Sequence, residues 1–150
     1  MSATEHYHYE ECGLDHVYLV NGFTKSQTPY GEGIAIKDVE KLHEAIARTI
    51  IAGPQPIRGQ ELRFLRKFMD MSQKTLASLM GETEQDIFRW EKKREKSVNG
   101  AADRLVRVIV GQYLDGTEIR PFLERLAELD QVEPSDILLE DREGHWKQAA

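Results

Sequence analysis

The sequence predicts an α+β fold: a small β-rich N-terminal module carrying one helix, an all-α domain, and an additional C-terminal helix. Three observations carry that prediction. Val17 to Val20 is a β-branched and aromatic run followed by Asn21-Gly22, a dipeptide that favours hairpin turns because both positions tolerate positive φ. From Val39 onward, apolar residues recur at spacings of three and four, the period of a helix with one buried face. Between the two, Ala52 to Pro56 packs two prolines and a glycine into a short run, which stops a helix and marks a boundary. The chain therefore divides into segments 1–52, 57–114 and 115–150.

In the first segment, Phe23 to Thr28 is expected to return beside the 17–20 strand across the Asn21-Gly22 turn. Pro29, Gly31 and Gly33 punctuate a loop before Ile34 to Ile36, and Asp38 is the expected N-cap of a helix bearing Val39, Leu42, Ala45, Ile46 and Ile50. In the second, Gly59 to Met69 places Leu62 and Leu65, with Phe68 or Met69, on one face. Ser72 caps the next helix, whose Leu76, Ala77, Leu79 and Met80 point inward, and Gly81 suits the left-handed position that ends it. Thr83 caps a third helix anchored by Ile87 and Trp90, and Ala101 to Tyr113 forms a fourth with Leu105, Val106, Ile109 and Val110 as its apolar stripe. A last helix is expected over roughly residues 118–129, followed by an acidic tail.

Composition narrows the function classes. With 150 residues, 40% of them hydrophobic, the chain can bury a core without staples. Cys12 is the only cysteine, so no intrachain disulfide forms and a reducing compartment is expected. No apolar run approaches the roughly 18 residues that span a bilayer, and the start has neither the basic nor the apolar region of a signal peptide. A cytoplasmic protein with no membrane contact is the expectation. No activated nucleophile, paired carboxylate set or phosphate loop is evident; Gly31-Glu32-Gly33 is too short and lacks a following Lys-Ser/Thr. The chain is not read as an enzyme, and no cofactor is expected. His6, His8, Cys12 and His16 are residue types that bind zinc, but exposed imidazoles and a small buried thiol are the preferred reading, so no metal is expected either.

The formal net charge of -6 is unevenly spread. Residues 1–57 hold 4 Lys/Arg against 8 Asp/Glu, residues 58–107 hold 12 against 8, and residues 108–150 hold 4 against 10. A basic middle between acidic flanks points to a nucleic-acid partner for the middle alone. Two short helices joined by a three- to four-residue turn, the second able to lie in a major groove, are the matching device.

The stretch from Glu61 to Ile109, "ELRFLRKFMDMSQKTLASLMGETEQDIFRWEKKREKSVNGAADRLVRVI", resembles the Xre (lambda/Cro-repressor-like) helix-turn-helix family in its leucine-rich first helix, Ser-Gln opening, internal Leu-Ala, Gly turn and aromatic-Glu pair. The resemblance implies a sequence-specific binder of double-stranded DNA, acting as a transcriptional regulator, in the first instance a repressor, and as a homodimer. It implies that Gln85 and Arg89 read bases, glutamine pairing with adenine and arginine with guanine. Gln73 matches a phosphate-binding glutamine, and Lys74, Lys92, Lys93, Arg94 and Lys96 would join it along the sugar-phosphate backbone. Arg66 and Glu91 match an internal salt bridge. Glu84 is assigned to a cytosine amine, whereas Asp86 is expected to point inward or sideways, the macrodipole accommodating both with Glu82 in the first turn. Leu105, Val106, Ile109, Val110 and Tyr113 are the expected dimer residues, although the same stripe could close the domain's own core. The family's Gly and Pro after the aromatic-Glu pair are absent, Lys93 and Val98 standing near those positions.

The order of a β-rich module, a helix and a helix-turn-helix also resembles the MqsA-type (YgiT-type) antitoxin and regulator family, with the zinc-ribbon cysteines missing. In that relation residues 1–52 are a degenerate, metal-free ribbon in which Tyr7, Tyr9, Val17, Leu19 and Phe23 replace the metal. An antitoxin that sequesters a toxin, through this module or the acidic flanks, and binds DNA to regulate itself is the alternative function.

Overall fold

The computed structural model describes residues 5–116, 121, 124–125, 128 and 133–149. Among these the architecture is mixed, five helices with three antiparallel strand pairs. Strand β1 (Tyr7–His8) pairs with β2 (Tyr18–Leu19), and β3 (Phe23–Thr28) pairs with β4 (Gly31–Ile36). This corrects the expected pairing across Asn21-Gly22. The 17–20 run has a better partner, because Tyr9 N–H donates to the Val17 carbonyl at 2.8 Å and Tyr18 stacks on His8 at 4.4 Å. That arrangement buries Tyr9 and Leu19, with Tyr7, Val17 and Phe23 packed half-buried against the core. The hairpin loop is Pro29-Tyr30 instead, closed by the Thr28 hydroxyl donating to the Gly31 carbonyl at 2.7 Å.

Helix α1 (Val39–Ala52) begins at Asp38 without the side-chain cap the sequence leads one to expect. Asp38 sits in the left-handed region, φ 49°, and contributes only its carbonyl, which accepts from Leu42 N–H at 2.9 Å. Helices α2 (Gly59–Phe68), α3 (Gln73–Met80), α4 (Glu84–Lys92) and α5 (Gly100–Leu114) then form the core with α1. Leu62, Leu65, Leu76, Ile87, Val106 and Val110 are fully buried there, each such side chain stabilising the fold by about 1.5–3 kcal/mol over an exposed position. Met69 is also buried, and Phe68 is half-buried. Ile46 and Ala47 of α1 belong to the same cluster as Tyr9, Leu14 and Leu19 from the N-terminal strands and loop.

The segment between α1 and α2 is clamped. Arg107 donates to the carbonyls of Ile50, Ile51, Gly53 and Gln55, thereby satisfying the C-terminal end of α1, and Asp103 accepts from Ile57 N–H at 2.7 Å. Arg107 and Asp103 in turn pair at 2.6 Å. Burial pushes the Asp103 carboxyl up, but the Arg107 and Ile57 hydrogen bonds and the Arg107 and Arg104 charges hold it below the ordinary Asp value.

Most of the helix expected over 118–129 lies outside the described residues. Within the acidic tail expected beyond it, the chain forms a hairpin that the sequence reading did not include, β5 (Leu139–Arg142) with β6 (His145–Gln148), turning at Glu143 and Gly144, both at positive φ. Its apolar residues stay in solvent: Leu139 is 60% and Trp146 72% exposed, and Ile137 and Leu138 just before it are exposed too. Among the described residues no helix is long and apolar enough to cross a membrane.

Candidate nucleic-acid interface

Helices α3 and α4 are joined by three residues, Gly81 to Thr83, and each end is satisfied locally. Ser72 accepts from Thr75 N–H at 3.0 Å to start α3. Gly81, at φ 70°, ends it, and Glu82 N–H reaches back to the Ala77 carbonyl at 2.9 Å, a Schellman closure that a residue with a Cβ would strain. Thr83 and Asp86 form a reciprocal capping box that starts α4, Thr83 Oγ1 accepting from Asp86 N–H and Asp86 Oδ2 from Thr83 N–H. Asp86 therefore turns back over the helix end. Burial first, and then the neighbouring Asp86, push the Glu82 carboxyl up.

The orientation of α4 is set from beneath by one polar chain. Arg66 holds Glu91 through two parallel bonds, Nε to Oε2 at 2.6 Å and the second guanidinium nitrogen to Oε1 at 2.8 Å, and also donates to the Met71 carbonyl. Gln73 Nε2 donates to Glu91 Oε1 at 3.1 Å. An amide nitrogen has two protons, so Gln73, half-buried at the start of α3, is positioned by Glu91 while one donor remains available.

On the opposite face of α4, Glu84, Gln85, Phe88, Arg89 and Lys92 are exposed, as is Lys74 on α3. Arg89 is hydrogen-bonded to Asp86, an exposed pair one turn apart on the helix, and Lys92 lies 5.8 Å from the Phe88 ring centre. The Asp86 contact positions the Arg89 guanidinium over the helix surface, a role the sequence reading did not assign. A Thr-x-x-Asp capping box followed three residues later by arginine was the signal for it.

The loop leaving α4 is pinned to the start of α2. Gly59 N–H donates to the Lys96 carbonyl at 3.1 Å, Gln60 N–H to that of Arg94 at 3.3 Å, and Val98 N–H to that of Ile57 at 2.9 Å. These carbonyls satisfy two N–H groups that a helix start leaves open. The approach is close enough that a Cβ on Gly59 would run into the carbonyl oxygens of Trp90 and Lys93. Val98, in the position where the resembled family carries other residues, is buried and holds the loop to the core. As a result Lys93 and Lys96 stand beside Arg89 and, with Trp90, Ser97 and Asn99, line a cavity of about 440 Å³.

Two groups of expected residues are placed differently. Arg94 is directed away from the basic cluster, donating to the Gly13 carbonyl at 2.8 Å. Val106, Ile109 and Val110 are buried in the chain's own core because their stripe faces the other helices, so they cannot line a dimer surface. Leu105 and Tyr113 reach the surface of α5, and so does Val108, which the stripe did not include. Of the histidines and cysteine near the N-terminus, His8 Nε2 meets the Asp15 carbonyl, His16 lies beside the Asp15 carboxylate and Arg58, and Cys12 Sγ approaches the Tyr9 carbonyl. Among the described residues no three His, Cys, Asp or Glu side chains are grouped as ligands for a metal. No protein-family model, curated protein or solved structure matches this chain.

Proposed function

We propose that α3 and α4 form an Xre-like helix-turn-helix and that the protein is a sequence-specific DNA-binding transcriptional regulator, acting as a repressor in dimeric form. The observation that carries the reading is the exposed row of Gln85 and Arg89 continuing into the Lys93 and Lys96 cavity at the end of the same helix. Gln85, with one amide donor and one acceptor, suits an adenine edge, and Arg89, with two parallel donors, suits a guanine edge; each bidentate pair discriminates by about 1–3 kcal/mol. Lys92, Lys93 and Lys96, none of them in an ion pair among the described residues, supply the sequence-independent attraction to phosphate. Gln73 and Lys74 contribute at the start of α3. Arg94 joins the phosphate contacts only if it leaves Gly13. A homodimer through α5 would use Leu105, Val108 and Tyr113.

Replacing Lys93 and Lys96 together by alanine tests the phosphate assignment. Binding to duplex DNA, titrated across salt concentrations, should weaken for all sequences and its salt slope should fall by about one unit per lysine. An unchanged slope would remove both lysines from the interface.

A second reading, capture of a protein partner such as a toxin, is favoured by the exposed Leu139 and Trp146 on the C-terminal hairpin. Apolar surface at that exposure marks interaction sites more often than isolated exposed residues do.

A further inference from the structure

A second cavity, also of about 440 Å³, lies away from α4, between the loop after β1 and the α1 and α2 helices. Its size is within the range of small-molecule sites. One wall is aromatic: the His43 ring stands edge-on to Phe64 at 5.6 Å, and Phe64 stacks with Phe68 at 6.3 Å. Burial lowers the affinity of His43 for a proton, and Tyr9 holds its Nε2 at 2.7 Å, so the ring serves as a neutral, fixed surface. Arg63 and Lys67, two cations one helical turn apart on α2, line the same cavity beside Phe64 and Phe68.

Those two cations are unusual here. Among the described residues, Arg63 is the only arginine with neither a side-chain hydrogen bond nor an ion pair, and Lys67 has none either. Glu11, the one acidic residue on the cavity wall, is engaged by the Tyr7 hydroxyl. An aromatic surface flanked by two unpaired cations matches a flat apolar body with an anionic head.

The cavity is also joined to the basic loop. Its Gly13 supplies the carbonyl that holds Arg94, and its Gln60 donates to Glu95 at 3.2 Å and accepts from Asp15 N–H at 3.1 Å. A ligand that shifts the 11–13 loop must strain or break the Arg94 bond. We propose that this cavity binds a small organic anion, a carboxylate or phosphate on a flat apolar body, and that occupancy sets whether Arg94 is held by Gly13 or released. The binding stands independently of any DNA activity; only the regulatory use of Arg94 rests on the function proposed above.

Benzoate and phenyl phosphate are suitable probes, with inorganic phosphate as the control, and NMR of the full chain is the readout because it needs no DNA. Either probe should produce saturable shifts in the backbone amides of residues 11–13 and 63–68, and in the Arg94 side-chain Nε–H, at concentrations up to roughly 10 mM, ten times the Kd of about 1 mM expected of a weak fragment. Benzoate acting alone identifies the head as carboxylate, and phenyl phosphate acting alone identifies it as phosphate. R63A/K67A, both at exposed positions, should weaken binding at least about tenfold while the unfolding transition is retained. No saturable shift with either probe, an equal response to inorganic phosphate, or undiminished binding in the folded double variant would overturn the site. Saturation of the cavity without any response at Arg94 would overturn the coupling. Failure of DNA binding would leave these results unaffected, so the two readings can fail separately.

Discussion

The α3–α4 pair and the β5–β6 hairpin are both built from short elements and a tight turn, yet they hold together for different reasons. In the helix pair, the turn is closed by Gly81 and the Thr83–Asp86 box, Leu76 and Ile87 are fully buried, and the Arg66–Glu91–Gln73 chain fixes the second helix from below. In the hairpin, the strands pair in complete register around Glu143-Gly144, but Leu139 and Trp146 remain in solvent. Two strands without a covered face are marginal in water. Local completeness and tertiary support are thus separate: both regions satisfy their backbones, and only the helix pair buries its apolar side chains.

The sharpest way to break the helix pair is to remove one partner of the buried ion pair. Glu91→Ala leaves the Arg66 guanidinium, whose side chain is 11% exposed, without its bidentate acceptor, and about 3–5 kcal/mol of stability should be lost in urea unfolding. A loss below about 1 kcal/mol would place the pair among surface salt bridges and undo the claim that it sets α4. Next in size is Gly59→Ala. With backbone oxygens in the way, the added methyl should cost about 1–3 kcal/mol, read as a lower unfolding midpoint, and should disturb the amides of residues 93–98 before those of α3.

Acid tests the clamp between α1 and α5. The Asp103 carboxyl is lowered on folding, so its contribution is fully present above the unfolded Asp value and is lost as pH falls through the folded value. Stability should therefore decline as the pH drops below about 4, and Asp103→Asn should be less stable at neutral pH but show a smaller decline on acidification. Equal declines would assign the acid sensitivity to other carboxyls. The smallest effect belongs to the hairpin. Trp146→Ala should change the stability of the helical region by no more than about 0.5 kcal/mol, measured by unfolding followed at Trp90 or by far-ultraviolet circular dichroism. A larger loss would show that Trp146 is covered in solution.

Much of the helical region was legible in the sequence because its determinants are local. Ser72, Gly81 and Thr83 announce caps and turns through their own chemistry, and the period of Leu62, Leu65, Leu76 and Ile87 is the period of the face they bury. What was not legible depends on partners far along the chain. Val17 to Val20 has strand propensity toward any neighbour, and the choice of β1 over β3 was made by the burial of Tyr9 and Leu19. Arg107 reads as a solvated helix residue until the fold brings four carbonyls of the preceding segment to it. The α5 stripe was visible, but periodicity cannot say whether a stripe faces its own core or a second copy. In the candidate site, the residue types on α4 were readable, whereas the Asp86 hold on Arg89 and the diversion of Arg94 to Gly13 came only from three-dimensional placement.

Base reading by α4 is proposed to run through Arg89. Its most direct test is selection from a random duplex pool with wild type and Arg89→Ala in parallel, both checked for an unchanged unfolding transition. The account predicts that wild type enriches an inverted repeat, while the variant keeps salt-dependent binding but loses preference at a guanine, by about 1–3 kcal/mol. Enrichment of the same sequence with the same preference by both proteins, or of none by wild type, would contradict it.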